Sequence, residues 1–475
     1  MKVSGNRECA SLFVLANRLP IEFHAQSGWR PSPGGLVNIL DTVLCAQDAV
    51  WIGCGGRFLG DASTNVYTVP PKDINGVILE EILITELEYA GYYKNFSNRA
   101  VWPLYHDAIV DSMYSQADYS AYESVNQKFA NRVAELAPPR ADIWVHDYHL
   151  QLVPAMLRRL RPDLNIGFFL HIPFPPADLF HQLPWSRQIL QGLLGSDLIG
   201  FQTTEAATRF CTQAVSGFQL QSAGDCLYVE TQQETRTVRV SAFPIGVDAH
   251  QLAAVAQDEE TILGAAEFRR SIGDPDLLIL GVDRLDYTKG IDVRIEAIAE
   301  LLQSCTLDRK STVFFQAAMP TRDNLFEYQE LRRKVEAKVD CINVALGAKG
   351  SAGIQYICES LSRKKLIELY VSADIMLVTP LCDGMNLVCK EYVACRPSGS
   401  GALVLSEFAG AARSLQSAWL VNPYCVESVK EGIVSAVTAS AEENRRRMCL
   451  LQEDVFKNDA MKWANDFVHS LRSLK

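Results

Sequence analysis

The sequence lacks the patterns that would place this chain in a membrane or build a zinc site. Its 475 residues contain no run of about 18 apolar residues, so no membrane span is expected. The thirteen cysteines include no Cys-x-x-Cys pair, and none stands at metal-ligand spacing from a histidine. Residues 12–16 form only a short apolar stretch, which is typical of a first strand rather than of a signal peptide. We therefore expect a reduced, cytoplasmic protein.

Positive charge is also in short supply. Lys and Arg number 45 against 56 Asp and Glu, a net charge of −11, which argues against non-specific binding to nucleic acid or to an anionic membrane. Any phosphate chemistry must then rely on a few focused basic residues. The sequence has no repeats, and its 48% hydrophobic and 21% charged residues are typical of a folded globular protein.

Several familiar catalytic and metal motifs are missing. There is no P-loop and no Gly-x-Ser-x-Gly signature. The Asp-x-Asp at Asp274 and Asp276 precedes an apolar run instead of following it, which favours a turn over a metal site. His146 and His149 are the remaining metal candidates, but no third ligand is spaced with them, so a structural role for at least one is favoured.

Short apolar runs alternate with segments of helical periodicity. The runs comprise residues 12–16 and those beginning at Asp142, Asn165, Leu277, Asp374 and Gly401. Continuous apolar strands followed by amphipathic helices indicate parallel sheets covered on both faces, which is the α/β class. Residues 147–165 carry apolar side chains at helical spacing and predict one strand–helix–strand unit.

The length of the chain predicts two large domains, because 475 residues exceed one ordinary core. A polar stretch, TQQETRTVRV, interrupts the pattern within residues 222–247, and a new strand–helix series starts at Leu277. We predict two facing, doubly wound Rossmann-like domains over residues 1–240 and 241–453, followed by a terminal helix over 454–475.

Polar residues follow many of the predicted strands, where open parallel sheets bind their ligands. They are Asn17, Arg18, Asp147, His171, Arg284, Lys289 and Asp383. For any single one, a helix cap or a solvated charge is the more ordinary explanation. The whole set is harder to explain in that way and favours a binding site.

Two loops have features that suit phosphates. Gly34 and Gly35 stand between a strand and a helix, where missing side chains permit close approach of a ligand, although a glycine pair is more often a simple turn. The segment GVDRLDYTKGID places Arg284 and Lys289 in one short loop, where they can clamp a diphosphate. The alternative is ion pairing with the neighbouring acids Asp283, Asp286 and Asp292.

A third loop, TPLCDGMNLVCKEYVAC, predicts a strand ending at Asp383 and a helix beginning near Asn386. The N–H groups of Leu387 and Val388 would then suit phosphates. Glu391, one turn into the helix, is placed to accept hydrogen bonds from ribose hydroxyls. The alternative for Glu391 is an exposed ion pair with Lys390 or Arg396.

Seven motifs occur in a fixed order along the chain: ANRLP, SPGGL, FSNRAVWPLYH, HDYHLQLVP, GFFLHIPFPP, GVDRLDYTKGID and VTPLCDGMNLVCKEYVA. Together they resemble the trehalose-6-phosphate synthases, the retaining family 20 glycosyltransferases, from about Leu12 to the C-terminus. The bacterial single-function type is the best match, since no phosphatase domain follows. The resemblance implies GT-B architecture and retaining transfer of glucose from a nucleotide-glucose (UDP-glucose or GDP-glucose) to glucose 6-phosphate, giving trehalose 6-phosphate.

The resemblance also implies roles for individual residues. The acceptor-binding residues would be Arg18, Tyr93, Trp102, Asp147 and Arg322. The donor-binding residues would be Gly35, Arg284, Lys289, Leu361, Leu387, Val388 and Glu391. His171 and Asp383 would hold hydroxyls of the transferred glucose. Arg284 and Lys289 would stabilise the leaving diphosphate, and Asp147 would orient the acceptor. By residue type alone, Asp147 or Asp383 also suits a nucleophile or a base.

The resemblance implies small-molecule substrates, with no metal, cofactor, nucleic acid or membrane, and leaves a homo-oligomer open. Cys382 stands where many relatives carry arginine, and the loop around Leu361 varies in the family, so the nucleobase is not fixed. Two other functions stay open: a transferase with another phosphorylated acceptor, and an inactive sugar-phosphate sensor.

Overall fold

The structure is a computed structural model that describes residues 12–24, 26–32, 34–45, 48–60, 73–74, 76–108, 113–231, 234–322, 325–347 and 353–474. The chain forms two compact units, the first of Met1–Pro244 with Trp463–Lys475 and the second of Ile245–Lys462. The chain thus leaves the first unit after Pro244, four residues beyond the predicted position, and re-enters it at Trp463.

The first unit contains a mixed sheet and the helices that cover it. Its strands are β1 (Leu12–Arg18), β2 (Ile21–His24), β3 (Gly28–Pro31), β4 (Ala49–Cys54), β5 (Asp73–Ile74), β6 (Val77–Glu81), β7 (Asp142–His146), β8 (Asn165–Phe169), β9 (Leu198–Phe201), β10 (Gln221–Ala223), β11 (Cys226–Glu230) and β12 (Thr235–Ala242). Its helices are α1 (Gly35–Leu44), α2 (Glu86–Tyr89), a π-helix (Ala90–Val101), α3 (Trp102–Tyr105), α4 (Gln116–Leu136), a 3-10 turn (Tyr148–Leu150), α5 (Val153–Leu160), α6 (Ala177–Phe180), α7 (Ser186–Leu193) and α8 (Thr204–Phe218).

The order of the parallel strands in this sheet is β12-β9-β8-β7-β1-β4-β6. After β1 the chain builds outward on one side through β4 and β6, and it then returns to add β7 beside β1. The order therefore reverses between β1 and β7, which is the point where open parallel sheets bind ligands. Residues 235–240 of the polar stretch lie in β12, which pairs antiparallel with β11 near one side of the sheet.

The second unit has a wholly parallel six-stranded sheet in the described residues. Its strands are β13 (Leu277–Arg284), β14 (Thr312–Met319), β15 (Gly353–Ile357), β16 (Ile375–Val378), β17 (Ala402–Ser406) and β18 (Trp419–Val421). Its helices are α9 (Ala249–Ala256), α10 (Glu259–Ser271), a 3-10 turn (Tyr287–Lys289), α11 (Ile291–Gln303), α12 (Phe326–Leu346), α13 (Arg363–Ser372), α14 (Leu387–Ala394), a 3-10 turn (Gly410–Arg413), α15 (Val426–Thr438) and α16 (Ala441–Lys457). A last helix, α17 (Ala460–Arg472), follows.

Strand order in the second sheet is β15-β14-β13-β16-β17-β18, so its reversal lies between β13 and β16. The interior residues of β13 and all of β16 and β17 are buried, because helices cover both faces. A core of aliphatic residues from α11, α15 and the strands fills one of these interfaces. The α/β, doubly wound prediction is confirmed in both units.

The individual elements agree with most of the sequence-based predictions. Five predicted strands appear as β1, β7, β8, β13 and β17, and the helix predicted after Asp147 appears as α5. The sixth predicted strand, which begins at Asp374, appears as β16. It is predicted to end at Asp383 but ends at Val378, so Asp383 lies in a loop. The expected terminal helix over 454–475 is divided between the end of α16 and α17. No helix in the described part of the chain is both long and apolar enough to span a bilayer.

Candidate active site

The first unit presents polar residues where its strand order reverses. Arg18 ends β1 and Asp147 directly follows β7, the neighbouring strand. Arg18 Nη2 donates a hydrogen bond of 2.8 Å to the Tyr93 hydroxyl, and its guanidinium lies 5.5 Å from the centre of the same ring. Tyr93 in turn stacks on His149 with ring centres 5.6 Å apart. Two predicted acceptor residues, Arg18 and Tyr93, are therefore in contact, and the arginine fork is held in place.

The backbone of Asp147 adopts a conformation normally reserved for glycine. Its φ of 73° and ψ of 168° cost on the order of 1–3 kcal/mol for a residue with a side chain. The carboxylate Oδ1 accepts a hydrogen bond of 3.2 Å from the backbone N–H of His171, and the Asp147 N–H donates to Phe169 O at 2.8 Å. Strain of this kind persists where the surroundings over-determine it and is concentrated at functional sites. The sequence alone contained no sign of it.

His171 contacts His146, one of the two histidines for which the sequence weighed metal binding against a structural role. His146 Nδ1 lies 3.0 Å from His171 Nε2, and the His146 ring is completely buried at the end of β7. Burial lowers the pKa of His171 to about 3 and that of His146 well below its ordinary value. Both rings are therefore neutral near pH 7, and they share one hydrogen bond. No three metal-binding side chains converge within the described ranges.

The two remaining predicted residues of this unit are Gly35, at the start of α1, and Trp102, in the core. Gly35 is exposed and begins α1, so its N–H belongs to the open first turn of that helix. Trp102 is buried, with its ring centre 4.0 Å from that of His106 and 5.7 Å from that of Tyr148. The Tyr148 ring in turn lies 3.9 Å from the His149 ring, tilted by 34°. Trp102 thus stands at the far end of a series of rings that reaches Tyr93.

The central feature of the second unit is a nearly buried ion pair between Lys289 and Asp383. Lys289 Nζ lies 2.6 Å from Asp383 Oδ2, and the two side chains are only 8% and 14% exposed. Lys289 follows β13 and Asp383 follows β16, the two strands between which the order reverses. The alternative in which Lys289 only neutralises its near neighbours in sequence is wrong, since its partner is 94 residues away.

A completely buried arginine braces the loop that carries Lys289. Arg294 donates to Asp283 Oδ2 at 2.6 Å, to Thr379 Oγ1 at 3.0 Å and to the backbone oxygen of Lys289 at 2.7 Å. These bonds link the end of β13, the segment after β16 and the 3-10 turn at Lys289. Sequence reasoning missed Arg294, although a charge among Ile291, Ile295 and other apolar residues on one face of α11 was a readable signal.

The helix predicted near Asn386 begins with that residue as its cap. Asn386 Oδ1 accepts from Cys389 N at 3.1 Å, and Asn386 Nδ2 donates to Asp383 Oδ2 at 3.2 Å. Its φ of 75° turns the chain sharply into α14. Leu387 and Val388 therefore occupy the first turn of α14, where backbone N–H groups lack helical partners. Asn386 is a positioning group that the sequence indicated only as a helix boundary.

Glu391 lies on the next turn of α14 and does not pair with its basic neighbours in sequence. Its Oε2 accepts a hydrogen bond of 2.9 Å from the Tyr370 hydroxyl. Lys390 Nζ instead donates to Ile245 O at 2.7 Å, and Arg396 donates to backbone oxygens that include Val371 O. Burial raises the pKa of Glu391, against the opposing influence of the Tyr370 hydrogen bond and the Arg363 charge. The exposed-ion-pair alternative is therefore wrong.

Arg322 is held by an acid in the Lys289 loop. Its Nη1 donates to Asp286 Oδ2 at 2.9 Å and also to the Tyr328 hydroxyl. Arg284 ends β13 with an exposed side chain whose charge acts on Asp286. Leu361 is partly exposed in the loop before α13, and Cys382 is partly exposed beside Asp383. The second unit thus places Arg284, Lys289, Arg322 and Asp383 at or after the ends of three strands, β13, β14 and β16.

Comparison with known proteins identifies the family. Residues 10–473 match the sequence model of Glycosyltransferase family 20. A protein of Mycolicibacterium paratuberculosis named Trehalose-6-phosphate synthase is 44% identical over 467 residues, covering 96% of this chain and 94% of its own. A protein of the same name from Mycobacterium avium has the same identity and coverage.

Solved structures give the same result. An alpha,alpha-trehalose-phosphate synthase (UDP-forming) from Burkholderia xenovorans, in complex with glucose-6-phosphate, is 31% identical with a TM-score of 0.89, covering 98% of this chain and 100% of its own. A structure from E. coli described as trehalose-6-phosphate bound with UDP-2-fluoro glucose is 30% identical with a TM-score of 0.86, covering 97% and 98%. This chain therefore belongs to glycosyltransferase family 20, alongside the trehalose-6-phosphate synthases that its motifs resemble, and it is a hexosyltransferase built from the Rossmann-like units of GT-B enzymes.

Proposed function

We propose that this protein transfers glucose from a nucleotide-glucose, UDP-glucose or GDP-glucose, to glucose 6-phosphate with retention of configuration, forming trehalose 6-phosphate and a nucleoside diphosphate. The observation that carries the proposal is the Lys289–Asp383 pair at the strand reversal of the second sheet, in a chain similar over nearly its whole length to Trehalose-6-phosphate synthases. The glucose-6-phosphate and UDP-2-fluoro glucose held by two structural relatives support the choice of both substrates.

On the donor side, the proposal assigns the diphosphate to Arg284 and Lys289. Loss of a nucleoside diphosphate develops negative charge on its oxygens, and preorganised cations stabilise that charge in the transition state. The open N–H groups of Gly35, Leu387 and Val388 suit the same anionic donor. The carboxylate of Glu391 would accept hydrogen bonds from ribose, and Leu361 would lie against the base.

On the acceptor side, the phosphate is assigned to Arg18 and Arg322, whose planar forks bind two oxygens each. Tyr93 holds Arg18, which supports that assignment, and Trp102 lies at the other end of the same series of rings. Asp147 would orient the acceptor hydroxyl, since its strained backbone fixes the direction of its carboxylate.

The glucose being transferred would be held through its hydroxyls by His171 and Asp383. Attack from the face of the departing phosphate retains configuration without a carboxylate nucleophile, so neither Asp147 nor Asp383 needs to form a covalent intermediate. The proposed reaction needs no metal and no cofactor. We propose that the first unit supplies most of the acceptor-binding residues and the second most of the donor-binding residues, with Arg322, Gly35 and His171 as the exceptions. We also propose that the reaction takes place in the cytoplasm on small molecules alone.

The test is a product assay with the full chain. UDP-, GDP- and ADP-glucose are each supplied with glucose 6-phosphate, and the product is identified by mass spectrometry and by the anomeric NMR signals. We expect an α,α-linked disaccharide phosphate and a nucleoside diphosphate in equal amounts. Product only with another acceptor, such as glycerol 3-phosphate, would reject the assigned acceptor. Calorimetric binding of the donor without any turnover would identify a sugar-phosphate sensor instead.

A further inference from the structure

A single buried carboxylate, that of Asp286, supports the turn that carries Lys289. Asp286 is 1% exposed and precedes the 3-10 turn Tyr287–Lys289. Its Oδ1 accepts one hydrogen bond of 3.0 Å from the backbone N–H of Thr288 and another of 2.9 Å from the Thr288 hydroxyl. These two bonds cap the turn, so the position of Lys289 depends on this oxygen.

The second oxygen of the same carboxylate holds Arg322. Asp286 Oδ2 accepts from Arg322 Nη1 at 2.9 Å and from the Tyr328 hydroxyl at 3.2 Å. The Arg322 guanidinium also lies 5.3 Å from the centre of the Tyr328 ring, and the residue has a positive φ of 53°. The side chain of Arg322 is thus fixed from two sides, with only 4% of it exposed.

The charge on Asp286 is shared by three cations. Burial alone would raise the pKa of Asp286, but the charges of Arg322, Arg284 and Lys289 outweigh it and hold that pKa well below its usual range. The group is therefore an anion at any pH at which the enzyme works. It offsets the mutual repulsion of three cations that the proposed function assigns to phosphate groups.

We infer that Asp286 is a positioning residue that sets the donor-phosphate lysine through one oxygen and the acceptor-phosphate arginine through the other. The inference rests on the roles that the proposed function gives to Lys289 and Arg322. It adds that the binding of both substrates depends on one side chain that touches neither of them. A residue with a purely structural role would not divide its effects between two substrates in this way.

Replacing Asp286 by asparagine tests whether its two carboxylate oxygens support the two substrate sites. An amide has one acceptor oxygen and one N–H₂ donor, so Asp286→Asn must turn a donor toward either Thr288 or Arg322 and also removes the shared charge. We expect the Kd of UDP and that of glucose 6-phosphate each to rise about tenfold or more, because hydrogen bonds to charged groups are the stronger class.

Two conservative variants separate the effect of Asp286 on Arg322 from its effect on Lys289. Tyr328→Phe removes a hydroxyl only from the Arg322 side, and Thr288→Val removes one only from the Lys289 side. We expect Tyr328→Phe to weaken glucose 6-phosphate binding about fivefold and leave UDP within about twofold, and Thr288→Val to do the reverse. Calorimetry with UDP and with glucose 6-phosphate provides both constants, and steady-state KM values provide the same division in turnover.

Asp374→Asn is the matched control, since Asp374 also accepts from an arginine and a backbone N–H, but at the opposite end of the sheet. It should leave both Kd values unchanged. If Tyr328→Phe and Thr288→Val each weakened the binding of UDP and of glucose 6-phosphate equally, the inference would be overturned and these residues would be assigned to general stability. Unchanged Kd values in Asp286→Asn would also overturn it. If the unaltered protein formed no trehalose 6-phosphate, the proposed function would be rejected. The Kd values of UDP and glucose 6-phosphate would still test the positioning role of Asp286.

Discussion

At the scale of single residues, the candidate site is defined by charges that are paired before any substrate arrives. Lys289 and Asp383 are held together at 2.6 Å with little exposure, and Arg294 grips the backbone oxygen of Lys289 from behind. Ordering a lysine side chain costs up to about 2 kcal/mol of conformational entropy, and this side chain is already ordered in the folded protein. Lys289 is therefore preorganised for the charge that it is proposed to stabilise.

Removal of either proposed diphosphate cation should depress turnover more than binding. We expect Lys289→Ala and Arg284→Ala each to lower kcat by roughly 100-fold, because preorganised charge acts mainly on the transition state. Steady-state kinetics with the preferred nucleotide-glucose measures the effect, and circular dichroism checks the fold. Lys338→Ala is the control, since the partly exposed Lys338 of α12 pairs with Glu296 of α11. Turnover within twofold of the unaltered protein would remove the tested residue from the mechanism.

At the scale of elements, the site is made by turns that leave strands at precise places. The turn after β13 returns to α11 through Gly290, whose φ is 61°. A Cβ on Gly290 would lie 2.3 Å from Thr379 O, so the turn passes directly against the segment after β16. This close approach is what allows the chain near Lys289 and the chain leading to Asp383 to meet.

Gly290→Ala should disturb that approach. Gly347 has the same φ of 61°, but a Cβ on Gly347 would meet no atom within 4 Å, so Gly347→Ala reports the cost of the backbone conformation alone. We expect the Gly290 variant to lose about 1–3 kcal/mol more stability than the Gly347 variant, with a lower kcat. Chemical denaturation measures the difference, and equal losses in the two variants would show that the contact with Thr379 is unimportant.

The paired ends of β7 and β8 make stability depend on pH. His146 lies opposite Phe169 in the register of these strands and contacts His171. The pKa of His146 is lowered in the folded state, so below about pH 6.5 the unfolded chain binds a proton that the folded chain does not. Stability from this group is therefore present above pH 6.5 and is lost as the pH falls.

We expect His146→Gln to flatten this dependence. Between pH 6.5 and 4.5 the unfolding free energy of the variant should fall less steeply than that of the unaltered protein, by up to about 1.4 kcal/mol per pH unit. Urea unfolding at several pH values measures both slopes. His250→Gln is the control, because His250 is an exposed residue of α9. Parallel slopes for the His146 variant would show that this ring does not titrate on unfolding.

At the scale of the whole molecule, the chain closes the first unit with its own last helix. Phe467 of α17 stacks on Trp144 of β7 with ring centres 4.8 Å apart, and Asn165 donates to Leu471 O at 3.1 Å. Gly167 has no side chain where Phe467 packs, since a Cβ there would lie 2.8 Å from the ring. The first unit is thus discontinuous in sequence, and α17 completes its core.

Phe467→Ala should therefore weaken the first unit. We expect a loss of about 3–5 kcal/mol, the usual range for a phenylalanine removed from a core, and faster amide exchange in β7, β8 and β9. Hydrogen exchange with mass spectrometry locates the change. Phe326→Ala is the matched control, because the Phe326 side chain is 70% exposed. Unchanged exchange in these strands would mean that α17 does not contribute to their stability.

The sequence by itself determined the class of fold and many of the strand ends. Continuous apolar runs and the polar residues after them are local patterns, so β1, β7, β13 and the positions of Arg18 and Lys289 could be read without a structure. The family resemblance supplied the residue roles, which local pattern alone left between binding and ordinary solvation.

Only the tertiary structure decided which of these residues meet. Lys289 contacts Asp383 because β16 pairs directly with β13, although β14 and β15 intervene in the chain. Arg322 reaches Asp286, His146 reaches His171 and α17 returns to β7 for the same kind of reason. Strand order and helix return are set by the burial of whole faces across long stretches of chain, and that burial leaves no trace in the residues next to any one site.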